Sequence, residues 1–188
     1  IIDQLNNSIK HLGVHFAPDP STSNRATVGG AIGNNSCGSH SILWGKTVDN
    51  VISLQTILSD GSETNFGATD IKSLGKYNNG NNLKTNIYEW IKETNHSKSK
   101  YIIENYPKIS RRVSGYNLDE ITDANHLNLA GLLVGSEGTL VTVTEAKIKV
   151  VPTPKHKALA IAHFSSLYQS MEATVEIVNL EPSAVELV

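Results

Sequence analysis

Prolines, glycines and small polar residues dominate positions 18–38, and they limit what the first part of this chain can form. Pro18 and Pro20 stand one residue apart, which excludes regular structure there and predicts a stiff, extended turn. The glycine-rich stretch 27–38 allows backbone N–H groups to approach a ligand without side-chain obstruction. Thr27 can cap a short helix whose free N–H groups suit a diphosphate. A glycine-rich loop that only turns is an equal alternative on these grounds.

Length, charge and cysteine content exclude several classes of protein. The chain has 188 residues, 39% of them hydrophobic, which is typical of a globular domain. A formal net charge of -2 argues against a surface that binds nucleic acid. No apolar run approaches the ~20 residues of a membrane span. The single cysteine, Cys37, excludes an internal disulfide and a four-thiolate cluster, and we expect no metal site in this stretch.

Hydrophobic periodicity predicts a chain of mixed helices and strands. The predicted helices are 2–12, 86–94, 98–106 and one that begins at Ser165 or Ser166, and the asparagine-rich patch 78–82 is a predicted loop tip. The predicted strands are 14–16, 51–58, 63–66, 140–151, 158–164 and one that starts near 184, with a hairpin turn at 60–61. Pro152 and Pro154 mark a boundary, after which the order strand, helix, strand begins a β-α-β unit.

Two later segments also offer candidate ligand contacts. Segment 135–140 contains a tight Gly-Ser-Glu-Gly turn that would present backbone amides beside a strand, although Glu137 is equally consistent with a solvated turn. Arg111 and Arg112 precede a Ser-Gly-Tyr sequence, and paired arginines suit a carboxylate or a phosphate. A solvated basic side chain is the favoured interpretation for Arg111. Tyr116 adds an aromatic face with a hydroxyl group.

Taken together, these segments resemble the FAD-binding domain (PCMH-type) of the vanillyl-alcohol oxidase/p-cresol methylhydroxylase flavoprotein superfamily. The motifs that carry the resemblance are 18–21, 27–38, 44–51, 60–61, 114–118, 135–140 and 144–146. Within the superfamily they are most similar to the FAD-linked dehydrogenases of D-2-hydroxy acids (D-lactate, D-2-hydroxyglutarate or glycolate). The Asn-Asn-Ser-Cys-Gly sequence and the paired arginines resemble those members in which the flavin domain is fused to an iron–sulfur module.

The resemblance implies a fragment with two domains and an α+β fold. Residues 1–152 are expected to form the second lobe of the FAD-binding domain, a mostly antiparallel sheet flanked by helices, with the first lobe missing. Residues 153–188 are expected to open the FAD-linked oxidase C-terminal (substrate, or cap) domain, as the first β-α-β of a ferredoxin-like fold. Because half of the diphosphate cradle would then be missing, the isolated chain is expected to bind FAD weakly or not at all.

The implied reaction is oxidation of a D-2-hydroxy acid to the 2-oxo acid by hydride transfer to flavin N5. The expected partners are FAD, the hydroxy acid, the rest of the parent polypeptide and an electron acceptor of unknown kind, without nucleic acid or a membrane span. The expected location is cytoplasmic, with peripheral attachment to the inner membrane as a variant. Alternatives are a non-catalytic flavin-domain fragment, an aryl-alcohol oxidase and a reductase of peptidoglycan-precursor synthesis.

The resemblance also implies which residues form the site. The expected FAD contacts are Pro18, Asp19, Pro20, Ser21, Thr27, Gly29, Gly30, Gly33, Asn34, Gly38, Gly45, Glu137, Gly138 and Val143. Arg112 and Tyr116 are expected only as neighbours of the active site, and the catalytic base is expected outside this chain. Two residues depart from the family pattern, since Trp44 stands where Tyr is usual and Val141 where Gly is usual.

Overall fold

The computed structural model describes residues 1–70, 82–123 and 127–188. The helices are α1 (Ile2–Ile9), α2 (Val28–Asn34), α3 (Ser41–Trp44), α4 (Leu83–Asn105), α5 (Leu129–Leu133) and α6 (Leu167–Val178). The strands are β1 (Val14–His15), β2 (Val51–Ile57), β3 (Glu63–Thr69), β4 (Leu127–Asn128), β5 (Thr142–Ile148) and β6 (Val151–Pro152). Single 3-10 turns cover Lys10–Leu12, Val48–Asn50 and Leu118–Ile121. This mixture of helices and strands confirms the predicted α+β fold class.

The main sheet has four strands in the order β4-β3-β2-β5, and each neighbouring pair is antiparallel. In the predicted hairpin, Leu54 of β2 faces Phe66 of β3, and Gly61 takes the positive φ of 82° that the turn requires. On its other side Leu54 faces Ala146 of β5. Strands β1 and β6 form a separate two-stranded pair, which joins the start of the chain to residues 151–152.

The principal hydrophobic core lies on the face of the sheet that α4 and α5 cover. Leu54 and Leu129 have at most 1% of their surface exposed, and the Phe66 ring meets Tyr88 of α4 edge to face at 6.1 Å. Each side chain buried in this way stabilises the fold by about 1.5–3 kcal/mol. A smaller cluster of Ile2 and Phe16, packed with Ala31, attaches α1 and β1 to α2.

The polar middle of the chain forms one long helix, and the prediction of two helices there is wrong. Helix α4 runs without a break from Leu83 to Asn105, and the Asn82 side chain caps it by accepting a hydrogen bond from the Thr85 N–H at 2.9 Å. The predicted break, 95–97, contains Ser97, and Ser99 follows it closely. Ser97 and Ser99 instead bond to carbonyls one turn back in the helix, which satisfies their hydroxyls without interrupting it. Of the predicted loop tip, 78–81 lie outside the described residues.

Residues 153–188 contain the predicted helix but not the predicted strands. Helix α6 begins after Ser166, whose hydroxyl accepts a hydrogen bond from the Gln169 N–H at 3.3 Å. No strand forms at 158–164 or from 184, so both strand predictions are wrong. A strand needs a neighbour for its backbone groups, and Leu159 and Ile161 are 87% and 74% exposed here. The division at residue 152 stays a prediction.

Candidate functional site

The end of α2 and the Gly-Ser-Glu-Gly turn are in direct contact. As predicted, Thr27 caps α2 by accepting a hydrogen bond from the Gly30 N–H at 2.9 Å. The N–H groups of Gly135 and Glu137 then donate to the carbonyls of Ile32 and Gly33, at 2.8 and 2.9 Å. The turn is thereby anchored to the last residues of α2.

Asn117 brings the Ser-Gly-Tyr segment to the same place. Its side chain is buried, and Nδ2 donates to the carbonyls of Gly131 and Val134, just before the turn at 135–138. The Tyr116 hydroxyl lies 2.8 Å from the Thr139 hydroxyl. Because Thr139 Oγ1 donates to a backbone carbonyl at 2.5 Å, Tyr116 is the donor of this pair. These bonds hold residues 113–116 opposite 135–139.

The three segments enclose an open cleft of about 660 Å³. A volume of this size is within the range of small-molecule sites. The lining residues are Asn34, Asn35, Ser36, Cys37, Val113, Ser114, Gly115, Tyr116, Gly135, Ser136, Glu137 and Thr139. Segments that are up to about a hundred positions apart in sequence therefore share one candidate site.

One of the residues that line the cleft, Asn35, has a side-chain amide with an unused donor. Asn35 is fully buried, and its Oδ1 accepts a hydrogen bond from the Val48 N–H at 3.0 Å. Its Nδ2 is buried without a hydrogen-bond partner among the described residues. Gly115 and Gly138 have φ of 75° and 72°, and a side chain added at either would point into open space. Of these two glycines Gly115 lines the cleft, and it leaves open space there where other residues would carry a side chain.

These features fit a flat heteroaromatic group such as the isoalloxazine ring of FAD. A buried N–H without a partner costs about 1–3 kcal/mol, and a ligand acceptor would recover that cost. Gly115, which lines the cleft without a side chain, leaves room for a ring to lie against the backbone. The residues present are thus compatible with the cofactor that the sequence motifs imply.

Arg112 lies behind the cleft wall rather than in the lining. Its guanidinium donates to both carboxylate oxygens of Asp119, at 2.7 and 2.6 Å, and to Asn117 Oδ1 at 3.3 Å. The same group stacks over the Tyr106 ring at 4.6 Å. With these partners Arg112 is placed to hold the wall in position, whereas Tyr116 lines the cleft itself.

The Pro-Asp-Pro turn is tied to the segment that follows α2. Asp19 binds the His40 ring at Nδ1 and also accepts a bond from the His40 N–H at 3.3 Å. Trp44 stacks on His40 with ring centroids 5.3 Å apart and meets His15 edge-on at 4.8 Å. Burial, followed by the charge of Lys157, lowers the pKa of His15. The unusual Trp44 is thus accommodated between two imidazole rings.

Cys37 has an arginine partner rather than a histidine. Arg111 Nε donates to Cys37 Sγ at 3.4 Å, and this hydrogen bond raises the pKa of Arg111. The side chain of Arg111 is otherwise exposed, as its sequence context predicts. His40 is engaged by Asp19, so the pairing of Cys37 with His40 that a nucleophile would need does not form.

The cleft contains only some of the residues expected to contact FAD. Asn34 and Glu137 line it, and Thr27, Gly29, Gly30 and Gly33 lie on α2 or at its start. Gly45 forms a separate turn against Asp49, and Val143 packs on the principal core together with Val141. The FAD contacts at Pro18, Asp19, Pro20, Ser21, Gly38, Gly138 and the residues just named stay predictions.

Asn35 is the residue that the sequence reasoning missed. The available signal was an asparagine directly after a glycine-rich helix, because Asn tolerates the left-handed conformation that ends such helices. Asn35 has φ 52° and ψ 48°, and its N–H closes the helix on Ala31. That conformation ends the helix at Asn35, whose side-chain oxygen accepts a hydrogen bond from the Val48 N–H.

Comparisons with known proteins show what the chain is similar to. Residues 1–67 match the family model described as an FAD binding domain. The chain is 33% identical over 187 residues to D-2-hydroxyglutarate dehydrogenase of Pseudomonas putida, covering 99% of this chain and 19% of that protein. The enzyme of the same name from Escherichia coli is also 33% identical, over 193 residues, with 100% and 19% covered.

More distant similarities point the same way. Glycolate oxidase subunit GlcD of Bacillus subtilis is 28% identical over 92% of this chain and 25% of its own length. A solved structure of alkyldihydroxyacetonephosphate synthase superposes with a TM-score of 0.53 at 19% identity, over 98% of this chain and 24% of that one, which shows the fold alone. The chain spans about a fifth of the length of the dehydrogenases that it matches. Residues 1–67 thus match the model of an FAD binding domain, and the whole chain resembles part of the D-2-hydroxyglutarate dehydrogenases in sequence.

Proposed function

We propose that this chain forms part of the flavin site of an FAD-dependent oxidoreductase that converts a D-2-hydroxy acid to the 2-oxo acid. The observation that carries the proposal is the convergence of 34–37, 113–116 and 135–139 on one cleft with an unsatisfied buried donor. D-2-hydroxyglutarate is the first substrate to test, because two relatives named for that activity match the full chain at 33% identity. D-lactate and glycolate follow, since more distant relatives carry those names.

In this proposal the chain binds and orients the cofactor, and the chemistry of the redox step belongs to the flavin. FAD supplies an acceptor for the hydride that leaves the α-carbon of the hydroxy acid. Tyr116 and Thr139 keep two walls of the cleft at a fixed separation through their 2.8 Å hydrogen bond. The Tyr106 hydroxyl supports the same wall by donating to the Tyr116 carbonyl at 2.6 Å. We assign no proton transfer to this chain and propose that the catalytic base lies outside it.

The proposal is tested on the complete product of the gene that encodes this chain. The purified protein should contain FAD and should reduce an artificial dye with D-2-hydroxyglutarate, D-lactate or glycolate. The L-enantiomers of the first two acids are the matched controls and should give no reduction. A flavin-free protein that does not take up added FAD would overturn the proposal. Flavin content without turnover of any of the three acids would leave a non-catalytic flavin module.

We further propose that the electrons pass to an iron–sulfur module of the same polypeptide. The support is the similarity of motifs 34–38 and 111–116 to those family members that carry such a module. Iron and acid-labile sulfide measured in the complete gene product test this, and their absence would favour an external acceptor.

For its location we propose the cytoplasm, with peripheral attachment to the inner membrane if the electrons enter a respiratory chain. In 1–70, 82–123 and 127–188, no helix has the length and apolar character to cross a membrane. Fractionation of the cells with a salt wash distinguishes the two locations.

A further inference from the structure

Glu120 connects the 3-10 turn Leu118–Ile121 to the start of α5. Its carboxylate lies so close to Gly131 that a Cβ added there would be 2.5 Å from Glu120 Oε2. The Asn128 side chain donates a hydrogen bond to the same carboxylate, and it caps α5 by accepting from the Gly131 N–H at 3.2 Å. Glu120 therefore packs both on the backbone of α5 and on its cap.

Helix α5 leads directly into the Gly-Ser-Glu-Gly turn that lines the cleft. The Glu120 N–H donates to the Asn117 carbonyl at 3.1 Å. Nδ2 of Asn117 donates in turn to the carbonyls of Gly131 and Val134, at 3.1 and 2.8 Å. The next residue, Gly135, lines the cleft and donates from its N–H to α2 at 2.8 Å. A displacement of Glu120 from α5 therefore reaches the lining of the cleft through α5 and through Asn117.

The surroundings of Glu120 mostly oppose its negative charge. The side chain is partly buried, Asp119 precedes it on the same turn, and Asp49 acts on it from the neighbouring 3-10 turn. Burial, followed by the charges of these two aspartates, raises the pKa of Glu120 to about 7. Lys46 and the hydrogen bond from Asn128 have the opposite effect, which is smaller.

The other elements that pack on this turn make neutral contacts with it. Residues 127–133, which form β4 and α5, contain no titratable side chain. Helix α4 contacts the turn through Asn95, whose Nδ2 donates to the Ile121 carbonyl at 2.7 Å. Asp119 is paired with Arg112 at 2.6 Å. The charges named above are therefore those that act on this carboxylate.

The protonation state of Glu120 decides how well it fits this place. A neutral carboxyl group keeps an oxygen that accepts from Asn128 and brings no charge into the protein. A charged carboxylate is more stable in water than against the backbone of α5, because burial removes its hydration. Above pH 7 the ionised group is therefore drawn toward solvent and away from Gly131.

We propose that protonated Glu120 is a positioning residue for the cleft, which keeps α5 and the turn at 135–138 against α2, and that ionisation of this carboxyl group loosens the turn. The proposal concerns contacts within this chain, and it rests on the proposed function only for the ligand, a flavin, that the cleft holds. The flavin is then bound more tightly at pH 6 than at pH 8.5.

Hydrogen exchange tests the loosening without any ligand. The flavin-free complete gene product is compared with its Glu120→Gln variant at pH 5 and pH 8, because glutamine keeps an acceptor and has no proton to lose. At pH 8, peptides that cover 129–139 should exchange at least about tenfold faster in the unmodified protein than in the variant. At pH 5 the two rates should approach each other. Peptides that cover 51–66 should exchange equally in both proteins at each pH.

Titration of the same two proteins with FAD tests the consequence for the ligand. The dissociation constant, followed by flavin fluorescence, should rise by about tenfold between pH 6 and pH 8.5 in the unmodified protein. In Glu120→Gln it should keep its pH 6 value over the whole range.

Two further variants link the pH dependence to this carboxyl group. Glu63→Gln removes an exposed charge at the start of β3 and should behave like the unmodified protein. Asp49→Asn keeps an oxygen that can accept from the Lys46 N–H, but it removes a charge that raises the pKa of Glu120. The rise of its FAD dissociation constant should therefore be centred at a lower pH.

Each outcome supports or overturns the proposal. Equal exchange at 129–139 in the unmodified protein and in Glu120→Gln at pH 8 would overturn it. Faster exchange that extends equally to 51–66 would also overturn it, because Glu120 would then stabilise the whole fold rather than the cleft. An FAD dissociation constant that does not change with pH would overturn the effect on the ligand. If FAD binds at no pH, the proposed function fails, while the exchange rates still decide the role of Glu120.

Discussion

Gly38 is held so close to Asp19 that a side chain would not fit. A Cβ at Gly38 would overlap both the backbone carbonyl and the side-chain carboxylate of Asp19. That carboxylate is already fixed by its two bonds to His40. The contact joins the Pro-Asp-Pro turn to the end of the glycine-rich segment, which explains physically why a glycine stands at this position.

Gly38→Ala should therefore destabilise the protein. The added methyl group must displace backbone, so the free energy of unfolding should fall by about 1–3 kcal/mol. Gly29→Ala is the matched control, because a Cβ there meets nothing within 4 Å and alanine favours the helix by up to about 1 kcal/mol. Urea unfolding of both variants measures the difference. Equal stability of the two would contradict the assigned contact.

Glu120 is partly buried against Gly131, and this position changes its acidity. Burial, followed by the charges of Asp119 and Asp49, raises the pKa of Glu120 to about 7. The folded protein thus binds a proton that the unfolded chain has already released above pH 4.5. The free energy of unfolding contributed by Glu120 is highest below pH 4.5 and falls as the pH rises toward 7.

Glu120→Gln should remove this pH dependence. The neutral amide carries no charge to bury, so the variant should exceed the unmodified protein in stability at pH 8 by about 2–3 kcal/mol. The difference should shrink toward zero near pH 4.5, where the glutamate is itself protonated in the folded state. Unfolding curves at a series of pH values test this. A constant difference across the series would rule out titration of Glu120 as the cause.

At the scale of elements, the Arg112–Asp119 pair connects the wall at 113–116 to the 3-10 turn Leu118–Ile121. Asn117 continues the connection to α5 and to the turn at 135–138. The Arg112 side chain is only 12% exposed, so its bonds are shielded from water. The spacing of the two cleft walls therefore depends on side chains that do not line the cleft.

Arg112→Leu should loosen that wall as well as lower stability. The variant loses the two hydrogen bonds to Asp119, but that carboxylate is 38% exposed and keeps contact with water, so the cost should be about 1–3 kcal/mol. Hydrogen exchange of the amides at 113–116 should increase. Lys100→Ala is the control, since its pair with Glu104 is exposed at 3.9 Å and should be worth less than about 1 kcal/mol. Unchanged exchange at 113–116 would show that Arg112 does not hold the wall.

At the scale of the whole molecule, residues 1–152 and 153–188 differ in how they are packed. The first range contains both hydrophobic clusters. In the second, apolar side chains of α6 are largely exposed, with Tyr168 at 69%, Met171 at 60% and Val175 at 66%. Local stability follows buried contacts, so the second range should open at a lower free energy.

Limited proteolysis tests that difference. Trypsin should cut the 188-residue chain after Lys155 and Lys157 well before it cuts after Lys147 and Lys149. The first two lysines lie in an exposed segment without regular structure, whereas the last two lie in and next to β5. Mass spectrometry of early digests identifies the cleavage sites. Simultaneous cleavage at all four lysines would contradict separate behaviour of the two ranges.

The sequence was most informative where the determinants are local. Thr27 and Gly61 correctly predicted the cap of α2 and the β2–β3 hairpin. Caps and tight turns depend only on a few neighbouring residues and on the backbone angle φ that those residues can adopt. The sequence predicted two helices where the structure has the single helix α4, and it predicted two strands after residue 153 that do not form. Packing partners decide whether such segments form a helix, a strand or neither.

The amino-acid sequence alone determined the family motifs, the cofactor that they imply and the positions of the turns, since each depends on residue type and short spacing. Only the tertiary structure decided that 34–37, 113–116 and 135–139 enclose one cleft, that Arg112 supports its wall, and that Asn35 presents an unpaired donor. The cleft and the environment of Asn35 depend on hydrogen bonds between residues 13 to about 100 positions apart, such as Val48 with Asn35 and Gly135 with Ile32. The bonds of Arg112 to Asn117 and Asp119 are local, but Asn117 carries them to the distant carbonyls of Gly131 and Val134. The order of residues along a chain does not reveal which distant residues come into contact. It therefore does not reveal which hydrogen-bond donors find a partner in the folded protein and which do not.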